Sequence, residues 1–278
     1  MTLVPKRCGA KRTMPLVFSA ISPHPPVLIP EIGKDNLQKI SKTEEAMKKL
    51  EQEFYASKPE SILVISPHGQ IFDDAFNINL SADYSANFKE FGDFGLELKF
   101  KSDYLSIQEI RAADEGRKEV PITLTSQNEI DHGFSVPLYY LTQHLKNIPL
   151  IPITYSGLDL QKHFEFGQFL YRQLAKIDKR FGVLASGDLS HRLTKDAPGG
   201  YSEKGKEFDK QLAELIKKKD IKGILSIDPK LRQEAGECGL RSIVVLLGMI
   251  ESLNTKTEIL SYEGPFGVGY LVCNFKLL

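Results

Sequence analysis

Strand-like and helix-like segments alternate almost throughout this chain of 278 residues, and that order predicts a three-layer α/β/α sandwich around a mixed, mostly parallel central sheet. Two further observations shape the expectation. The tetrapeptide Ile-Ser-Pro-His occurs twice, each time directly after a short apolar run: Ile21-Ser22-Pro23-His24 and Ile65-Ser66-Pro67-His68. Proline lacks the N–H that a ladder needs and pushes its predecessor into an extended conformation, so each run reads as a buried strand that stops at its proline. The last two strand segments are separated by Gly264-Pro265-Phe266-Gly267, a hairpin spacing, and this makes the sheet mixed.

Taken in order, the strand segments are Leu16–Ser22, Ser61–Pro67, Phe76–Leu80, Leu96–Phe100, Ile122–Thr125, Leu150–Tyr155, Gly182–Ser186, Glu258–Tyr262 and Gly267–Phe275. The helical segments are Asp35–Ala56, Asp103–Glu115, Ser135–Leu145, Leu158–Ile177, Ser202–Lys218, Ile221–Ser226, Lys230–Glu234 and Gly239–Leu253. Asp35 is the expected cap of the first helix, which keeps Leu37, Ile40, Met47 and Leu50 near one face. The fourth helix carries Phe164, Phe166, Phe169, Leu170 and Leu174 on a broad apolar stripe. No linker composition divides the chain. Residues 1–14 read as a flexible leader, with Met14 an alternative start, and residues 15–278 as a single domain. The stretch Ala197-Pro198-Gly199-Gly200-Tyr201 reads as a loop of the active site.

Composition excludes several function classes. Lys+Arg and Asp+Glu both number 36, and this balance argues against nucleic acid or an anionic membrane as the main partner. No apolar run approaches the length of a membrane span, and the basic start of the chain lacks the apolar core of a secretory signal. The three cysteines, Cys8, Cys238 and Cys273, make no disulfide framework, so a cytoplasmic location is expected.

The histidines carry the chemistry. If the two Ile-Ser-Pro-His strands are parallel neighbours, His24 and His68 emerge at one sheet edge, where open α/β sheets bind ligands, and form half a metal site. A carboxylate would complete the two-His-one-carboxylate arrangement of non-heme Fe(II) enzymes. Glu237, at the entry to the apolar helix Ile243–Ile250, is the best candidate, with Glu234 and Cys238 as rivals; a thiolate would favour Zn or Cu. His132, in Asp131-His132-Gly133, can be oriented by Asp131. His191 ends Gly187-Asp188-Leu189-Ser190-His191 just past a strand, beside the glycine-rich loop. His144 and His163 fall inside amphipathic helices and read as exposed side chains without a role. Arg192, Arg232 and Arg241 are the cations within reach of a substrate carboxylate.

In this order, S-P-H-P-P, S-P-H-G, D-H-G-x-x-x-P-L and G-D-L-S-H resemble the class III extradiol ring-cleavage dioxygenases, catalytic B-type subunit, and the related Memo-like proteins. The resemblance runs from about Val17 to the C-terminus. It implies Fe(II) on His24, His68 and Glu237, with His191 as acid/base and His132 as a second active-site acid or substrate contact. It also implies extradiol cleavage of a catechol-type aromatic by O2, and either a homodimer or a small partner subunit. Cys238-Gly239 is similar to the Memo-like branch, in which a cysteine occupies the third ligand position, and that branch implies metal binding or redox partnership without ring cleavage.

Overall fold

A computed structural model of the protein describes residues 15–115 and 120–278. The leader expected at residues 1–14, with Cys8 and Met14, lies outside the described residues. The strands are β1 (Leu16–Ser22), β2 (Ser61–Ser66), β3 (Phe76–Asn79), β4 (Asp83–Phe88), β5 (Asp93–Lys101), β6 (Ile122–Thr125), β7 (Leu150–Thr154), β8 (Phe181–Ser186), β9 (Thr255–Glu263) and β10 (Tyr270–Leu277). The helices are α1 (Pro30–Gly33), α2 (Ser41–Ser57), α3 (Tyr104–Glu115), α4 (His132–Leu141), α5 (Leu160–Leu174), α6 (Glu203–Lys218), α7 (Ile221–Leu225), α8 (Pro229–Ala235) and α9 (Leu240–Met249).

Eight strands form one sheet in the order β6-β3-β7-β2-β8-β1-β10-β9. The centre, β7-β2-β8-β1, is parallel, while β3 on β7 and the terminal β10–β9 pair are antiparallel. The mixed, mostly parallel α/β sandwich is therefore the observed fold. Side chains alternate between two cores because successive Cβ atoms leave a strand on opposite faces. In β2, Leu63 and Ile65 join α3, α5, α6 and α9 on one face, whereas Ile62 and Val64 join α2 and α4 on the other.

The structure corrects the expectation in four places. The two Ile-Ser-Pro-His strands are parallel but not neighbours: β8 runs between them, and Ala185 pairs with both Ile21 and Ile65. Both strands thus end level with Ser186, two strand spacings apart, about 10 Å. The segment Leu96–Phe100 lies within β5, which leaves the main sheet and pairs with β4 as a separate hairpin. The helix expected from Asp35 is α-helical only from Ser41; a 3₁₀ segment over Lys34–Ile40 precedes it because the backbone of Ile40 departs from helical angles to bury its side chain. Finally, α4 starts at His132 rather than Ser135, since the Asp131 carboxylate caps it by accepting the Gly133 N–H at 2.9 Å.

Candidate metal centre

His24, His68 and His132 come together at the carboxyl edge of the sheet. A ligating atom of each lies within 4.8 Å of the others. Ring centroids are 4.8 Å apart for His24 and His68, 4.2 Å for His68 and His132, and 5.6 Å for His24 and His132. His24 follows β1, His68 follows β2, and His132 opens α4, so three separate elements aim imidazoles at one point. Close packing of α4 on β2 requires Gly133: a Cβ there would sit 2.4 Å from Ser66 Oγ and 2.8 Å from His68 Cδ2.

The hydrogen bonds fix how His24 presents itself. Pro137 has no N–H to return to the Gly133 carbonyl one helical turn back, so that carbonyl is free. It accepts the Ser186 hydroxyl instead. A hydroxyl that has donated its only proton must accept from its other neighbour, so the Ser186 Oγ contact of 2.9 Å to His24 Nδ1 is a bond from Nδ1–H. The lone pair of neutral His24 is thereby on Nε2, 3.8 Å from Cys238 Sγ and 3.9 Å from Asp188 Oδ2. Asp131 Oδ1 stands 3.3 Å from His68 Nδ1 and 2.8 Å from His132 Nδ1, the latter off the N–H axis.

Burial disfavours the protonated forms of His24 and His68. Burial, then repulsion from His68 and His132, pushes His24 well below the usual histidine range, and burial with His132 nearby lowers His68. Burial alone would raise Asp131, but the close His132 ring and the bond from the Gly133 N–H prevail and bring it to about 2. A carboxylate beside three close imidazoles is an arrangement that a divalent cation would stabilise. The donor set suits Fe, Zn or Cu.

The other expected residues are placed as follows. Glu237 is not in the histidine group. Its carboxylate accepts the Leu240 N–H at 2.7 Å and so caps the start of α9; burial raises its pKa against that bond and the charges of Arg241 and Arg232. Glu234 faces Lys230 at 3.9 Å. Cys238 Sγ accepts the Asp188 N–H at 3.3 Å, and burial holds the thiol well above its ordinary range. His191 donates from Nδ1 to the Gly236 carbonyl at 2.9 Å, which leaves its lone pair on Nε2; burial lowers its pKa. The loop at Ala197–Tyr201 folds back on it, with the Gly199 N–H on the His191 carbonyl at 3.0 Å. His144 lies beyond the end of α4 and pairs with Glu51 at 2.8 Å. His163 is fully buried rather than exposed: Nδ1 donates to the Asp159 carbonyl at 2.7 Å, and burial brings its pKa to about 4.

Sequence reasoning missed Ser186 and named Asp188 only as part of the motif that leads to His191. Asp188 is buried, accepts the His24 N–H at 3.0 Å, and is pushed up to about 7 by burial against that bond. A strand ending in Ser-Gly-Asp level with two Ser-Pro-His strands was the available signal.

The class defined here is an α/β sandwich with three imidazoles clustered past the carboxyl ends of its parallel strands. Residues 19–273 match the family model described as the catalytic LigB subunit of aromatic ring-opening dioxygenase, and the chain belongs to that family. Protein CA_C1420 of Clostridium acetobutylicum is 35% identical over 266 residues, 91% of this chain and 56% of that protein. A MEMO1 family protein of Methanosarcina mazei is 26% identical over 137 residues, 49% of this chain and 48% of that one. The 3,4-dihydroxyphenylacetate 2,3-dioxygenase of Escherichia coli is 28% identical over 131 residues, 44% and 47% of the two chains. The chain spans about half the length of these curated relatives. The crystal structure of uncharacterized protein JW3007 from Escherichia coli K12 shares the fold, with a TM-score of 0.62 at 15% identity over 92% of this chain and 98% of that one. Among the described residues no helix is long and apolar enough to cross a membrane.

Proposed function

We propose that the protein is a metal-dependent dioxygenase that opens the ring of a catechol-type aromatic with O2 by extradiol cleavage. The observation that carries this reading is the group His24, His68 and His132, in which Ser186 fixes the His24 lone pair on Nε2. Fe(II) is the proposed metal, with Zn or Cu as alternatives, held by His24 and His68, with His132 as the third ligand in place of Glu237. When bound, the metal would supply the electron relay between ring and O2 that this chemistry needs. The side chains around it do the rest. His191, neutral with its lone pair on Nε2, accepts a proton from a substrate hydroxyl and later returns it. Asp131 holds His68 and His132 in place, and Asp188 holds the backbone of His24.

Metal analysis of anaerobically purified protein followed by O2 uptake with a panel of catechols tests the proposal. One equivalent of metal and uptake with at least one catechol are expected. His191→Ala should then keep the metal and lose about 10²–10⁴-fold in turnover. A second reading, a Memo-like metal-binding protein without ring cleavage, is favoured by Cys238 at 3.8 Å from His24 Nε2. Metal without O2 uptake for any catechol would select it.

A further inference from the structure

The turn that carries His191 belongs to no helix or strand, so its order comes from the elements around it. The His191 N–H donates to the Ala235 carbonyl at 3.2 Å and its Nδ1 to the Gly236 carbonyl at 2.9 Å, both at the end of α8. The Ser190 carbonyl accepts the Gly269 N–H at 2.8 Å, just before β10. Asp188 ties the start of the turn to the histidine cluster, since its Oδ1 accepts the His24 N–H at 3.0 Å. One further bond comes from below. Asp209 of α6 is 1% exposed; its Oδ1 accepts the Ser190 N–H at 2.8 Å, and its Oδ2 accepts the Tyr262 hydroxyl of β9 at 2.7 Å.

A carboxylate is a costly choice at that position. Both donors are neutral, and burial pushes Asp209 up to about 6 against their two bonds. A buried acid met by neutral donors is weak evidence for stability, and its effect on the turn is the better account. The fold makes room for it: a Cβ on Gly269 would sit 2.1 Å from Asp209 Oδ2, and one on Gly205 would sit 2.5 Å from Ser190 Oγ. The Ser190 N–H and the Leu189 carbonyl belong to one planar peptide unit. Holding that N–H therefore aims the carbonyl, which acts on the His191 ring in favour of its protonated form, against burial. Asp209 and Tyr262 line a surface cavity with Leu193 and Thr194, and none of His24, His68 and His132 lines it. The hold on the turn is thus separate from the metal cluster.

We propose that Asp209, steadied by Tyr262, is a positioning residue that holds residues 189–191 so that the His191 ring keeps one tautomer and one orientation. Its part in turnover rests on His191 carrying the proton of the proposed reaction; the hold on the turn does not.

Nuclear magnetic resonance of metal-free, full-length protein with 15N-labelled histidine tests it without the reaction. At about pH 8 the ring signals of His191, assigned by their loss in His191→Ala, should show a single neutral tautomer with the proton on Nδ1. Asp209→Ala should give a mixture of tautomers or broadened signals. Asp209→Asn keeps an acceptor for the Ser190 N–H and should restore the single tautomer. Tyr262→Phe should show the change of Asp209→Ala to a smaller extent, and it carries the test if the Ala variant fails to fold. Glu214→Gln removes an exposed acid from the same cavity and should leave His191 unchanged. Wild-type His191 signals in Asp209→Ala and Tyr262→Phe, no restoration in Asp209→Asn, or an equal change in Glu214→Gln would overturn the role. With a catechol that the wild type turns over, Asp209→Ala should lower kcat about tenfold or more while KM and Fe(II) stoichiometry hold. A tautomer change without O2 uptake by the wild type would keep the positioning role and remove the dioxygenase reading; O2 uptake with unmoved His191 signals would do the reverse.

Discussion

The two copies of Ile-Ser-Pro-His leave the sheet at the same level and reach different surroundings. His24 is 2% exposed, with Nδ1 on Ser186 and its backbone N–H on Asp188. The His68 side chain is 33% exposed and is steadied by Asp131 at 3.3 Å. The first follows β1, which is covered by β8 and β10; the second follows β2, which lies between β8 and β7. Local sequence decides where the imidazole emerges. Which nitrogen faces the cluster, and how much the ring adds to stability, is decided by what packs over it.

The largest expected effect separates these roles. His24→Ala and His68→Ala should each weaken metal binding beyond the roughly 10–100-fold typical of losing an orienting partner. Only His24→Ala should also destabilise the metal-free protein strongly, by about 2 kcal/mol or more, because it empties a buried, hydrogen-bonded site. His68→Ala should cost less than about 1 kcal/mol. Anaerobic metal titration with denaturant unfolding checks both, and equal stability losses would break the comparison.

Next come the orienting groups. Ser186→Ala frees the His24 tautomer, and Asp131→Asn weakens the hold on His68 and His132. Each should reduce metal affinity by about 10–100-fold with little change in fold. An Asp131→Asn protein with wild-type affinity would mean that His68 is oriented without it.

The smallest effect uses His163, a buried imidazole outside the cluster. Its folded pKa of about 4 lies below the ordinary 6.5, so the unfolded chain binds more protons between those values and stability falls as pH drops through that window. By about pH 5.5 the penalty approaches 1.4 kcal/mol. His163→Gln should flatten that part of the stability profile in metal-free protein; an unchanged slope would mean that His163 is not held neutral by burial.

Much of this was legible in the residues. The paired S-P-H ends were, because proline stops a ladder wherever it falls. The D-H-G turn was too, although its proline matters through the Gly133 carbonyl that it frees, a link visible only once Ser186 stands opposite. The placement of β8 between β1 and β2 was hidden, since spatial strand order is not written in chain order. Strand β4, Asp-Tyr-Ser-Ala-Asn-Phe, lacked an apolar run because it belongs to a half-buried hairpin outside the main sheet. Glu237 was read toward the sheet edge, and the competing demand of the α9 N-terminus for an acceptor took its carboxylate. His163 carried helix-surface neighbours in sequence, yet α5 turns that position into the core.

The central claim is that three imidazoles form the metal centre. It is tested most directly by the Fe(II) stoichiometry of His132→Ala against Glu237→Gln, both reconstituted and dialysed anaerobically beside the wild type. The account predicts that Glu237→Gln retains one equivalent, like the wild type, while His132→Ala retains little. Full occupancy in His132→Ala with loss in Glu237→Gln would contradict it and return the third ligand position to the carboxylate.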